Sequence, residues 1–316
     1  MADGREEVLL VGLGNIGFRH LQGLAPLVPR IRLAGVDPSA PARERAAAEW
    51  ARLGGEVGSF VGDLDALDRC FATAVVATSA TGRLTVLRAV LPRVTGPRLI
   101  IEKVAFTSIA ELQAARALLA EAAKAALVNC ARRMWPMYAA LREHLAGGRI
   151  AISVRGRGIG LGSNGVHFID LLQHLSREAA LSVTRWEGGE VVPSKRQGYW
   201  EAFGRLEVTT VGGSSLVLSV MPDDPERIAI RITSATHSFA ADEAAGEIAG
   251  LDGWAPARPP YQSELTGAAV AALLDGTAPS LPTLDESAAS HAALLGVLGP
   301  HLAAAGVDVS AGVPIT

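Results

Sequence analysis

Five short runs that are almost wholly apolar, at residues 8–11, 31–36, 74–77, 99–101 and 127–129, punctuate the first part of the chain. Between them lie helical patterns over 16–24, 41–53, 84–94 and 108–123. A strand with no polar face needs cover on both sides, which is the situation of a strand in a parallel sheet flanked by helices. The spacing predicts a doubly wound α/β domain over residues 1–130. After Arg149 the pattern changes. Ile150, Ile152 and Val154 alternate with polar residues, as do Leu206, Val208 and Thr210, and then Ile228, Ile230 and Ile232; residues 216–221 read as one more strand. Strands that follow one another across turns such as Gly212-Gly213 predict a mainly antiparallel open sheet in an α+β domain over 131–316. Helices at 165–175, 262–274 and 284–304 are expected to cover one face of that sheet, and a homo-oligomer the other. Residues 245–260 read as a loop.

The chain of 316 residues suits two such domains, and its 49% hydrophobic and 19% charged content is that of a globular protein. The formal charge of −3 argues against a general polyanion surface, so no nucleic-acid partner is expected. Neither Cys70, placed near a helix end, nor Cys130, at a strand end, has metal-ligand spacing; buried thiols and no metal are expected. Residues 1–7 are polar, and the apolar run at 8–11 is too short for a signal sequence. The longest apolar stretches, such as 268–274, are too short to span a bilayer. A cytoplasmic protein with no membrane partner is the expectation.

The first strand runs into Gly12-Leu13-Gly14-Asn15-Ile16-Gly17 and then a helix. In a strand–G-x-G-x-x-G–helix unit the first glycine permits a tight turn and the second lets a pyrophosphate approach. The third lets helix pack on strand, and the helix N-terminus offers free N–H groups to phosphate. Alone the spacing also fits an ordinary glycine turn. Asp37, however, ends the second strand about 20 residues further on, where a carboxylate accepts hydrogen bonds from an adenosine ribose. That carboxylate repels a 2′-phosphate and favours NAD, while Arg43 and Arg45 in the next helix leave NADP open. Another parallel strand ends in Glu102-Lys103. Carboxyl ends of such strands face the ligand crevice, and a lysine there is suited to proton transfer; a solvated charge pair is the plainer alternative.

The Glu102-Lys103 pair resembles the Glu-Lys-Pro signature of the glucose–fructose oxidoreductase, inositol dehydrogenase and MocA family (Gfo/Idh/MocA). The resemblance extends over almost the whole chain. It takes in the Gly12/Gly14/Gly17 turn, Val75-Val76-Ala77-Thr78, and Asn129-Cys130-Ala131-Arg132-Arg133 with Trp135-Pro136-Met137-Tyr138. It continues through Asn164-Gly165-Val166-His167-Phe168-Ile169-Asp170-Leu171 and Leu281-Pro282-Thr283-Leu284-Asp285-Glu286-Ser287. It implies hydride transfer between a nicotinamide and a carbinol or carbonyl carbon of a polar substrate. Lys103 and His167 match the family's catalytic positions, and Gly12, Gly14, Asn15, Ile16, Gly17, Asp37, Thr78 and Glu102 match its cofactor contacts.

Three departures stand out. The proline after the lysine is Val104, an aspartate four residues before the histidine is Ser163, and Ser79 and Arg83 follow the fourth strand where a proline and a histidine are usual. Arg83 reads either as a substituted substrate or cofactor contact or as a solvated helix-start arginine. Asp170 reads as a supporting residue near His167. Residues 193–200 and 160–164 resemble a subgroup associated with polysaccharide and sugar-nucleotide biosynthesis. Lys195 and Arg196 are suited to a phosphate or carboxylate and Tyr199 to stacking on a sugar or base, with a solvated basic turn as the alternative. Arg133 and Asn164 complete the substrate-binding candidates. Rival functions are reduction of an imine or conjugated double bond, and a redox-inactive protein that senses a dinucleotide.

Overall fold

The structure is a computed structural model and describes residues 4–56 and 59–316; the first three residues of the polar N-terminal stretch lie outside it. The chain divides into two compact units. In the first, six parallel strands lie in the order β3-β2-β1-β4-β5-β6. They are β1 (Glu6–Val11), β2 (Ile31–Val36), β3 (Phe60–Val61), β4 (Thr73–Val76), β5 (Arg98–Ile101) and β6 (Ala125–Val128). Helices α1 (Asn15–Gly23), α2 (Ala40–Arg52), α3 (Arg83–Val90) and α4 (Ile109–Glu121) alternate with them. Val8, Leu9, Leu10, Val75 and Val76 have no exposure, as the apolar runs require. The order of strands reverses between β1 and β4, and in such sheets the ligand crevice lies at the carboxyl ends there.

The second unit contains α5 (Pro136–Leu145), a helix not expected from the sequence although Pro136 stands in its first turn and Met137, Tyr138, Leu141 and Leu145 share its buried face. Its sheet contains β7 (Ala151–Gly156), β8 (Leu181–Pro193), β9 (Trp200–Thr210), β10 (Ser215–Val220), β11 (Ala229–Thr233), β12 (Ser238–Asp242) and β13 (Glu247–Ala249) in the order β13-β12-β11-β7-β10-β9-β8. Pairing is antiparallel except between β7 and β10. Strict alternation in β7, β9 and β10 turns Ile152, Val154, Leu206, Val208, Leu216 and Leu218 inward, where α6 (Leu161–Ser176) packs on β9 and β10.

Two expectations change here. Residues 245–260 are not all loop, because Glu247–Ala249 forms the edge strand β13. Residues 260–284, including α7 (Gln262–Leu274), cluster with the first unit, so the second unit is not a continuous 131–316. Helix α7 lies on α1, and the approach is close enough that a Cβ on Gly267 would sit 2.5 Å from the Gly23 carbonyl oxygen. Helix α8 (Leu284–Ala304) returns to the second unit, where Leu294 fills the space above Gly165 of α6. Cys130 is buried as expected; Cys70 is exposed and lies outside any helix. Among the described residues no helix is long and apolar enough to cross a membrane.

Candidate active site

The turn after β1 separates three glycines by what each is for. Gly12 has φ +89°, and a Cβ there would sit 2.9 Å from the backbone of Ala77 and Thr78, so the close pass of β1 by β4 requires glycine. A Cβ on Gly17 would collide with the Gly12 carbonyl oxygen. Gly14 differs. Its φ of −61° suits any residue, and a Cβ would meet nothing within 4 Å. Gly14, Asn15 and Ile16 are exposed, no side chain caps α1, and its first turn holds no acidic residue. The positive end of α1 is therefore open beside a gap.

Asp37 is held by two backbone donors: Leu13 N–H to Oδ2 at 2.7 Å and Ser39 N–H to Oδ1 at 2.8 Å. Arg43 donates to the carbonyls of Asp37 and Pro38, and Arg45 to that of Leu13 while lying over the Phe18 ring. After β4, the Thr78 hydroxyl is buried without a hydrogen-bond partner among the described residues. A gap at Gly14, an open helix end, an anchored carboxylate and an unsatisfied hydroxyl together fit a dinucleotide.

At the end of β5, Glu102 is buried and Lys103 half-buried. Glu102 Oε1 lies 2.8 Å from His20 Nε2 and accepts from Asn129 Nδ2 at 2.6 Å; His20 Nδ1 lies 2.7 Å from Thr266 Oγ1 on α7. Burial pushes the Glu102 carboxyl up, but the hydrogen bond and charge of His20, the Asn129 amide and the Lys103 ammonium outweigh it and hold Glu102 below the usual value. His20 was missed from sequence; its signal is a histidine on the apolar face of α1, next to Leu21. The Lys103–Val104 peptide is cis. Arg83 is neither a solvated helix start nor an open contact. It is 1% exposed and donates to the carbonyls of Thr78, Glu102, Val104 and Ala105.

In the second unit, His167 lies buried on α6, with Asn164 one turn earlier on the same face. Asp170 does not serve the imidazole in any contact shown; both its oxygens accept from Arg133, with Nε at 2.9 and 3.0 Å and Nη2 at 2.7 Å. Arg133, expected as a substrate contact, is thus committed to an ion pair whose carboxylate has no exposure. Arg132 makes a second bidentate pair with Glu243, which also accepts from Tyr138 O–H; burial and Glu243 push the Tyr138 phenol up. Glu201, from β9, was also missed: its Oε2 accepts the Ser163 N–H at 3.3 Å, and a Cβ on Gly160 would collide with its carboxylate. Lys195 and Arg196 are exposed in the turn between β8 and β9, with Arg196 4.4 Å over the Tyr199 ring. Among the described residues no group of three or more His, Cys, Asp or Glu is placed to hold a metal.

No protein-family model and no curated protein sequence matches the chain. Solved structures do. An oxidoreductase from Agrobacterium radiobacter, in complex with NAD+, L-tartaric acid and magnesium, is similar over 96% of this chain and 97% of its own, at 16% identity and a TM-score of 0.73. The WlbA dehydrogenase from Bordetella pertussis, in complex with NADH and UDP-GlcNAcA, is similar over 93% and 94%, at 17% identity and a TM-score of 0.71. A myo-inositol dehydrogenase from Corynebacterium glutamicum is similar over 96% and 97%, at 16% identity and a TM-score of 0.68. The fold is that of the Gfo/Idh/MocA oxidoreductases. On this Gfo/Idh/MocA scaffold, the three departures in sequence each have a visible setting. Val104 is buried behind Lys103, Ser163 stands against Glu201, and Arg83 sits under the Lys103 loop.

Proposed function

We propose that the protein is an NAD-dependent oxidoreductase acting on a carbinol or carbonyl carbon of a sugar or nucleotide sugar. The observation that carries this reading is Gly14: the protein leaves the space over it empty in a conformation that does not demand glycine, directly at the open end of α1. In this reading the backbone N–H groups of Gly14, Asn15 and Ile16 hold the pyrophosphate, with Gly12 and Gly17 shaping the turn. Asp37 holds the adenosine ribose, and Thr78 and Glu102 the nicotinamide ribose. Arg43 and Arg45 are engaged by carbonyls, which supports NAD over NADP. When bound, the nicotinamide supplies the hydride chemistry.

Lys103 gives a proton to, or takes one from, the substrate oxygen, and His167 is a lesser proton-transfer or positioning residue. Asn164, Tyr199, Lys195 and Arg196 orient the substrate, the last two through an anionic group. UDP-GlcNAcA in the complex of a similar structure supports this substrate class, and NAD+ and NADH in two such complexes support the cofactor. A cytoplasmic setting belongs to the proposal, as does a homo-oligomer formed through the outer face of the second sheet, where Phe203 and Val217 are half-exposed; light scattering on the purified protein tests the latter.

The test is calorimetry and a turnover screen with NAD(H), NADP(H), sugars, nucleotide sugars and a cyclic imine. NADH should bind more tightly than NADPH, Asp37→Ala should narrow the gap, and turnover should fall to a sugar. Gly14→Val should abolish NADH binding while stability falls by no more than about 2 kcal/mol, the upper scale of altering a helix N-cap. A valine variant that still binds NADH would overturn the reading, and tighter NADPH binding would overturn the choice of NAD.

A further inference from the structure

Arg83 opens α3, where an arginine ordinarily reaches into solvent, yet its side chain is 1% exposed. Nη1 shares its two N–H groups among the carbonyl oxygens of Glu102 at 2.5 Å, Val104 at 2.6 Å and Ala105 at 2.8 Å, and Nη2 donates to that of Thr78. Three of these carbonyls bracket Lys103 along the chain; the fourth follows β4. Once the backbone leaves β5, its buried carbonyls need donors from elsewhere. A guanidinium places N–H groups on separate nitrogens, so Nη1 can serve the carbonyls around Lys103 while Nη2 reaches that of Thr78, a span that the single nitrogen of an ammonium does not offer.

We propose that Arg83 is the positioning residue for Lys103: by clamping the carbonyls on both sides of the lysine to the end of β4, it fixes the backbone from which the proton-transfer group extends. This rests on Lys103 being the acid/base residue of the proposed reaction. The Thr78 contact adds a second consequence, since the same guanidinium sets the spacing between the Lys103 loop and the unsatisfied Thr78 hydroxyl. The clamp thus holds one proposed cofactor contact and the proposed proton-transfer residue in a single register.

The test compares wild type with Arg83→Lys, which keeps the charge and loses the fork. In the cofactor-free protein, amide hydrogen exchange should quicken at residues 102–105 and 78–79 and stay unchanged in β1, and the rate of Lys103 acetylation by acetic anhydride should change. With a substrate from the screen above, kcat should fall by about 10- to 100-fold, the scale of a misplaced reacting group, while NADH affinity, to which Thr78 is one proposed contact among several, falls by a smaller factor. In a Lys103→Met background the same change should cost nothing further, because a residue acting through Lys103 has nothing left to act on. If the lysine variant does not accumulate folded, Arg83→Gln, which keeps two N–H donors, is measured in the same way. Unchanged exchange in the loop, or a loss that multiplies with that of Lys103→Met, would overturn the proposal. A Lys103→Met protein with intact kcat would instead overturn the acid/base assignment, and loop exchange with acetylation would still decide whether Arg83 positions the lysine.

Discussion

Glu102 in the first unit and Asp170 in the second are carboxylates with 5% and 0% exposure, and burial alone would raise both. They end on opposite sides of their usual values. Burial is outweighed at Glu102, where His20, the Asn129 amide and Lys103 all favour the charged form. At Asp170 burial prevails over the Arg133 ion pair, with Glu286 adding repulsion and Arg132 partly opposing it. The difference lies in the supply of partners. Glu102 collects donors from α1 and the end of β6 and has a cation next to it in the chain, whereas the hydrogen bonds shown for Asp170 all come from one guanidinium. The first arrangement suits an ionised anchor beside a cationic lysine; the second suits a brace between α6 and the segment before α5.

If the first cluster serves chemistry, the largest effect should follow from its lysine. Lys103→Met should lower kcat by about 10²–10⁴-fold, the usual range for general acid–base catalysis, with NADH binding near wild type. Near-wild-type kcat, with an isotope effect showing chemistry to be rate-limiting, would break the contrast. If the second cluster is a brace, Asp170→Ala strands a buried guanidinium and should cost about 3–5 kcal/mol in urea unfolding. A loss below about 1 kcal/mol, the scale of an exposed pair, would free Arg133 for a substrate role after all. His167→Ala should reduce kcat by about 10- to 100-fold if it mainly positions the substrate, and a larger loss than Lys103→Met would exchange the two roles.

The smallest effect is a tilt in the dependence of stability on pH. Glu102 has a lowered value in the fold, so its contribution is complete above its usual value near 4.5 and disappears as pH falls through the lower, folded one. Asp170 has a raised value, so the folded state holds the extra proton and stability rises as pH falls from that value toward 3.8. Unfolding profiles on the acid side should therefore flatten in Glu102→Gln and steepen in Asp170→Asn. Shifts of the same sign would show that the two carboxylates do not differ as described.

The strands of the first sheet were legible because each carries its signal locally: residues 8–11 or 31–36 can only be buried on both faces, and the glycine turn after the first strand is a local pattern as well. The second sheet was legible where one face is buried, as in β7, β9 and β10. It was not at β8, an edge strand paired only with β9 and half-exposed or exposed along its length, so no alternation marks it. Lys103 and His167 were singled out through motifs, whereas the contacts of His20 and Glu201 were not anticipated, since each depends on a partner 82 or 38 residues away.

By itself the sequence determined which segments are apolar on one face or two, where the chain turns, and which strand ends carry ionisable groups, because these depend on neighbours within a few residues. Only the tertiary structure decided what those groups do. It brought residues 260–284 back against α1, matched Arg133 with Asp170 and Arg132 with Glu243, and drew Arg83 under the Lys103 loop. The three arginine contacts turn on desolvating a charge and finding it partners, and those partners are set by which distant strands and helices meet, not by any local period.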